Sequence, residues 1–300
     1  MRIGLAFGDA RRQRDLAGIA EQIRTAKGID TAWVTQGPNL DALITLATAA
    51  LPVGAGPGEV GTAVVPTPQR HPLVLASQAL TVQAATGNRL TLGIGVGIAR
   101  MVDSMFGLPT DRPARRLREY LQVLRPLLRG EAVDHHSETL TAVGAVAVEG
   151  AAEPSVLVAA LGPAMLRVTG ELADGTITWM TGPRTLEEHV VPSITKAAQG
   201  RPAPRIVAGL HVCLTTDTDE ARARYATDFA LSGQVPEYRA VLDREGAGGP
   251  ADVLIAGDER SITKQLDRLR DTGITDAMLA PIGTVDEQRR TTEFLTTVAR

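Results

Sequence analysis

The sequence predicts a (β/α)8 barrel with insertions after its fourth and seventh strands. Three observations predict it. The stretch Gly61–Gly97 reads as strand, tight loop, helix, turn, strand, and two strands joined by a helix form a parallel βαβ unit. The same alternation recurs along all 300 residues, giving eight strands that are each followed by a helix. A chain of this length is also a normal size for one such barrel, so residues 1–300 are read as a single domain. The rival is an open doubly wound sheet, which usually has fewer strands.

In chain order, Arg2–Phe7 is the first strand and a helix follows near Asp15–Lys27. Thr31–Gln36 is the second strand, with Leu40–Leu51 its helix. Gly61–Val65 is the third, stopped by Pro66 and Pro68, which have no N–H for a ladder. Pro72 falls in the first turn of the next helix, where that N–H is not needed. Leu73, Ala76, Leu80 and Ala84 recur there at helical spacing, and Gly87-Asn88 ends the helix. Leu90–Val96 is the fourth strand. Its helix shows the clearest apolar stripe, Leu117, Leu121, Leu124 and Leu128 among charged neighbours. Ser155–Ala160, Thr176–Met180, Ile206–Leu214 and Thr275–Ala280 are the remaining strands. Helices follow at Pro163–Ala173, Thr185–Ala198 and Asp286–Val298, with another signalled by GDERS (Gly257–Ser261) ahead of Ile262, Leu266 and Leu269.

Three segments exceed a minimal barrel. Gly97–Pro113 is a long connection, Glu131–Pro154 contains the alternating TLTAVGAVAVEG of a hairpin, and Asp217–Asp258 is long and partly helical. In this fold the site lies where strands end and βα loops begin. The long loops after the fourth and seventh strands are therefore expected to wall it.

Composition narrows the function. The chain is 44% hydrophobic and 22% charged, which supports a large core. A net charge of −3 without a long basic run argues against nucleic acid or an anionic membrane as partner. Cys213 is the only cysteine, so there is neither an internal disulfide nor a cysteine metal cluster. No run of about 18 apolar residues marks a membrane span. The start, MRIGLAF, lacks a signal-peptide core, and a cytoplasmic location is expected.

RIGLAF, GTAVVPTPQRHP, RLTLGIGVG, FGLP and AALGPAMLRVTGELADG, taken in order, resemble the luciferase-like flavin and deazaflavin barrels. The resemblance covers nearly the whole chain. It implies an isoalloxazine-type ring across the C-terminal mouth, either FMN or coenzyme F420, a 5-deazaflavin. Light-emitting FMN members place an arginine in strand four for the phosphate, where this chain has Val96. They also use a Glu-Ser pair after strand five, where this chain has Ala160-Leu161-Gly162-Pro163. That small turn is similar to the deazaflavin branch, and Gly162 and Pro163 are assigned to the cofactor on this ground. Thr181-Gly182-Pro183-Arg184 opens a helix after strand six and resembles the deazaflavin phosphate clamp: helix N–H groups, a hydroxyl and a guanidinium. The alternative is a Thr181 cap with a solvated Arg184. The resemblance further implies a cis peptide at Ala63-Val64 behind the ring, with Pro66, Thr67 and Gly97 beside it. The histidine and glutamate of the sugar-phosphate dehydrogenases in this branch are replaced by Gly37 and Ile98. The resemblance therefore implies an F420-dependent reductase moving a hydride to a C=C or C=N bond of a small organic substrate. An FMN monooxygenase and a non-catalytic flavin-binding barrel are the alternatives. Family members are often homodimers, and a homodimer is expected.

Other side chains are judged on position. Gln36, at the end of strand two, is a possible donor to cofactor or substrate. His71, at a helix start, either donates a proton or caps and packs, and His211, within an apolar strand, is either catalytic or a satisfied core histidine. Phe7, Trp33 and Trp179 fall near the C-terminal halves of strands and either flank the ring or fill the core. Arg100 and Asp103 are placed for substrate contact or the surface. GIGVG (Gly93–Gly97) lacks the GxGxxG spacing of a dinucleotide loop. His135-His136 lack the partners and spacing of a metal site, so no metal is assigned.

Overall fold

The computed structural model describes residues 1–8, 15–49 and 56–299. Its strands and helices run β1 (Arg2–Phe7), α1 (Leu16–Thr25), β2 (Thr31–Val34), α2 (Ala42–Ala49), β3 (Glu59–Thr62), β4 (Val65–Pro66), α3 (Pro72–Ala85) and β5 (Leu90–Gly95). There follow α4 (Ala99–Phe106), α5 (Pro113–Leu128), the hairpin β6 (Val133–His136) and β7 (Thr141–Gly144), β8 (Ser155–Ala159), α6 (Pro163–Leu172) and β9 (Gly175–Trp179). One continuous helical stretch then comprises α7 (Pro183–Thr185), a π turn (Leu186–Val190) and α8 (Val191–Ala197). The chain continues through β10 (Arg205–Leu214), α9 (Thr218–Asp228), α10 (Pro236–Glu245), β11 (Ile255–Gly257), α11 (Glu259–Asp271), β12 (Asp276–Pro281) and α12 (Val285–Val298).

β1, β2, β3, β5, β8, β9, β10 and β12 pair in parallel around a closed ring. Each of these strands is followed by helix, so the expected barrel is formed. The third strand departs from its expected span. It breaks after Thr62, the Ala63–Val64 peptide is cis, and the strand resumes as β4 against β5. Pro66 does not stop it: Pro66 pairs with Gly95, and the ladder contact passes to Thr67, whose N–H donates to the Gly95 carbonyl at 2.8 Å. The predicted end of the second helix, Leu51, lies outside the described residues.

Three additions were read only as connections. Gly97–Pro113 contains α4, an amphipathic turn-and-a-half ended by left-handed Gly107. The hairpin uses only the front of TLTAVGAVAVEG. Within Asp217–Asp258, α9 and α10 lead to β11, which extends the sheet beside Val212–Leu214.

Two layers of core hold the barrel. The outer layer packs helix stripes, such as Leu117, Leu121, Leu124 and Leu128, against outward strand residues. Inside the barrel sit Trp33, Leu157, Ile177, Val207 and Met278. Trp33 fills the lumen because Gly4 and Gly61 leave room: a Cβ on Gly61 would lie 2.4 Å from its ring. Beneath it, Arg205 stacks at 5.6 Å from the ring centroid and reaches Glu59 at 2.7 Å and Asp276 at 2.5 Å. Arg2 joins Glu59 at 2.9 Å, so the lower end of the barrel is plugged by ions.

Candidate active site at the barrel mouth

The C-terminal ends of the strands open into a cleft of 2130 Å³. Drug-sized pockets run to about 1,000 Å³, so this cleft has room for a cofactor and a substrate together. Its floor is small and flat, made of Ala6, Ala63, Val64, Gly95 and Ala159. Its walls are largely apolar, with Phe7, Ile98 and Met101 on one side and Leu161, Met165 and Trp179 on another.

The loop segment after β10 closes one side. Tyr225 and Phe229, at α9 and its end, pack on His211 of β10. The His211 Nδ1 lies 2.8 Å from the Tyr225 hydroxyl, and Trp179 meets the imidazole edge-on at 4.7 Å. α9 is pinned to α12 by Arg224, which binds Glu287 at 2.8 Å. Burial opposes charge on Glu287, but the Thr284 N–H, the Thr215 and Thr284 hydroxyls and Arg224 outweigh it and hold the carboxyl at about 2. Cys213 lies on the same wall. Burial, with Glu287 nearby, pushes its thiol up to about 11, so it is an inert thiol at neutral pH.

The structure gathers Gln36, Ala63, Val64, Pro66, Gly97, Gly162, Pro163 and His211 around this cleft. Gln36 faces it with its amide committed: Nε2 donates to the Gly37 carbonyl, and Oε1 accepts from the Ala42 N–H, both at 3.0 Å. Gly162 opens α6, and a Cβ there would meet open space. The first N–H groups of α6 have no carbonyl of their own helix to bind, so the positive end of this helix lies at the cleft.

Four predicted residues lie away from the cleft wall. His71 is a cap: its Nδ1 accepts from the Leu73 N–H at 3.3 Å and its Nε2 donates to the Thr141 carbonyl at 2.8 Å. The exposed ring joins α3 to the hairpin and faces no cleft. Thr181 is buried, and its hydroxyl donates to the Trp179 carbonyl. Arg184 is exposed and pairs with Glu188, one helical turn on. The helix N–H groups of Arg184 and Thr185 are bound by the two carboxylate oxygens of Glu245, at 3.1 and 2.8 Å, and Glu245 also fills the space beside Gly182. The chain's own carboxylate thus occupies the expected anion position. Trp33 belongs to the lumen rather than the mouth, and Arg100 and Asp103 are exposed on α4, off the cleft. Among the described residues no group of three His, Cys, Asp or Glu side chains is placed to hold a metal ion. No helix among them is long and apolar enough to cross a membrane.

Sequence reading missed Gln69, Arg70, Tyr225 and Phe229. Their positions in PTPQRHP and in a long partly helical insert gave only a coarse signal: both segments follow barrel strands.

A model of the luciferase-like monooxygenase family matches residues 4–293. The chain belongs to the luciferase-like monooxygenase family. Among the relatives is a 5,10-methylenetetrahydromethanopterin reductase of Archaeoglobus fulgidus, 30% identical over 229 residues, covering 73% of this chain and 66% of that protein. The coenzyme F420-dependent tetrahydromethanopterin reductase of Methanopyrus kandleri has the same fold, with TM-score 0.75 and 22% identity over 100% of this chain and 97% of that one. So does the FMN-bound oxygenating constituent of 3,6-diketocamphane monooxygenase from Pseudomonas putida, with TM-score 0.74 and 17% identity over 100% and 97%. The luciferase-like family therefore joins reductases and monooxygenases on one barrel, and this chain is an oxidoreductase of that fold.

Proposed function

We propose that this chain is an F420-dependent reductase acting on an electron-poor C=C or C=N bond of a small organic substrate. The observation that carries this reading is the likeness in sequence to methylenetetrahydromethanopterin reductases along most of the chain. Val96 supports it, because a cleft residue stands where FMN members carry a phosphate-binding arginine. The residues present fit a flat heterocycle with polar edges. The floor of Ala6, Ala63, Val64, Gly95 and Ala159 offers a face, and Gln69 Oε1 and Arg70 Nη1 are buried polar atoms without a protein partner.

Ala63, Val64 and Pro66 would support the ring, while Gly162 and the start of α6 would take an anionic part of the cofactor. A bound reduced deazaflavin supplies a hydride and, lacking N5, activates oxygen poorly. The apolar walls exclude water from the reacting bond. His211, oriented by the Tyr225 hydroxyl, is the residue assigned to donate a proton to the atom that does not receive the hydride. The reduction then balances, with two electrons and one hydrogen arriving as hydride and one proton from the imidazole.

Parallel titration of the purified chain with F420 and FMN tests the cofactor. Micromolar F420 binding with much weaker FMN binding is expected. Equal or tighter FMN binding, with oxygen consumption, would instead support the monooxygenase reading, which the fold of the FMN-bound P. putida enzyme keeps as the second candidate.

A further inference from the structure

Three buried side-chain polar atoms on the cleft wall lack a hydrogen-bond partner among the described residues: Gln69 Oε1, Arg70 Nη1 and Thr178 Oγ1. Thr178 alternates along β9 with Ile177 and Trp179, which face the lumen and mouth, so its hydroxyl belongs to the other side of the strand. Gln69 and Arg70 remain, on consecutive residues of the loop between β4 and α3.

The loop holding them is firmly built. Thr67 N–H donates to Gly95 at 2.8 Å, and Arg70 N–H donates to the Thr67 carbonyl at 3.1 Å. The Tyr120 hydroxyl donates to the Arg70 carbonyl at 2.9 Å. The Arg70 guanidinium is fixed through Nη2, which binds Asp41 and lies 3.4 Å from Gln36 Oε1. One edge of the guanidinium is therefore used by the protein and Nη1 is left over. Buried polar atoms are nearly always paired in native proteins, and an unpaired one calls for a ligand or water. Here the leftover set is one acceptor and one donor, fixed in place before any ligand arrives.

We propose that Gln69 and Arg70 recognise the amide edge of the ring bound in this cleft. The Gln69 carboxamide oxygen accepts from a ring N–H, and Arg70 Nη1 donates to the adjoining ring carbonyl. This inference rests on the cofactor reading above. The pyrimidinedione edge is common to FMN and F420, so the pair selects that edge without choosing between the two.

The test is a fluorescence titration of the wild-type chain and of Gln69→Leu with F420, FMN and the 3-methyl form of each. Methylation at N3 removes the ring donor. For whichever cofactor binds, 3-methylation weakens wild-type binding about tenfold, the scale of one buried hydrogen bond. Gln69→Leu weakens binding of the parent ring to a similar degree, and 3-methylation then costs little more. Arg70→Lys keeps a cation beside Asp41 but removes Nη1, and it also weakens binding about tenfold at a near-native melting temperature. Wild-type chain that binds the parent and 3-methyl rings equally well overturns the inference while leaving the cofactor reading intact, and it does so without relying on any variant's fold. Wild-type chain that binds neither F420 nor FMN overturns both.

Discussion

At position 71 both imidazole nitrogens hold the chain together, whereas at position 211 the ring lies on the wall of the cleft. The difference follows from the local chain. Pro72 at the first helical position leaves His71 as the residue before the helix, where a side-chain acceptor satisfies an orphan N–H. His211 sits in β10 with its ring among Trp179, Tyr225 and Phe229 at the mouth. His71→Ala should therefore lower stability by about 1 kcal/mol and leave turnover unchanged. His211→Gln should lower kcat about a hundredfold while cofactor affinity stays near wild type. Steady-state kinetics and thermal melts of the two variants read this directly. An unchanged kcat in His211→Gln would assign the proton to water or another group.

Among the elements, α10 and α7 are joined by Glu245. Its carboxylate accepts two N–H groups at the start of the helix after β9, a position where negative charge is favoured by the helix dipole. Glu245 ends α10, and left-handed Gly246 follows it, so the turn that closes one helix delivers the cap of another. Glu245→Ala should cost about 1–2 kcal/mol in denaturant unfolding. Arg184→Ala, at an exposed i,i+4 pair, should change stability by less than about 0.5 kcal/mol. Phosphate affinity measured on both variants decides what this helix end does. If Glu245→Ala gains phosphate binding and Arg184→Ala in the wild-type background loses cofactor, the carboxylate has been standing where the cofactor's phosphate goes. If neither changes, the helix end is purely a structural joint, and the start of α6 is left to hold the anionic group.

The whole molecule divides its two ends between different tasks. The N-terminal end is closed by Arg2, Glu59, Arg205 and Asp276 beneath Trp33, and the C-terminal end is open, apolar and large. This follows the general pattern in which one face of the barrel carries stability and the other carries chemistry. Arg205→Met tests the division. It leaves Glu59 and the buried Asp276 carboxylate without their main partner, which should cost about 3 kcal/mol or more. Cofactor affinity, read at the far end by titration, should be unaffected in the folded variant. A large loss of affinity would show that the plug transmits to the mouth.

Local signals in the sequence determined the barrel itself. β-rich runs and helix stripes such as Leu117–Leu121–Leu124–Leu128 need only neighbours in sequence to be read. The capped starts at Asp15, His71 and Asp258 are equally local, since each side chain binds an N–H two or three residues on. Position at strand ends also pointed to Gln36, Ala63, Val64, Pro66, Gly97, Gly162, Pro163 and His211 as residues of the mouth. Tertiary structure decided what those signals do not encode. Whether the helix start at Arg184 receives a ligand or Glu245, 61 residues away, is a long-range pairing with no local mark. Whether Trp33 faces the lumen or the mouth depends on the space left by Gly4 and Gly61 on the neighbouring strands. That Gln69 and Arg70 keep one acceptor and one donor unspent emerges only after every other partner has been placed. Propensity and periodicity act between residues close in the chain, whereas partner choice at a buried site is settled by which groups remain when distant segments have closed around it.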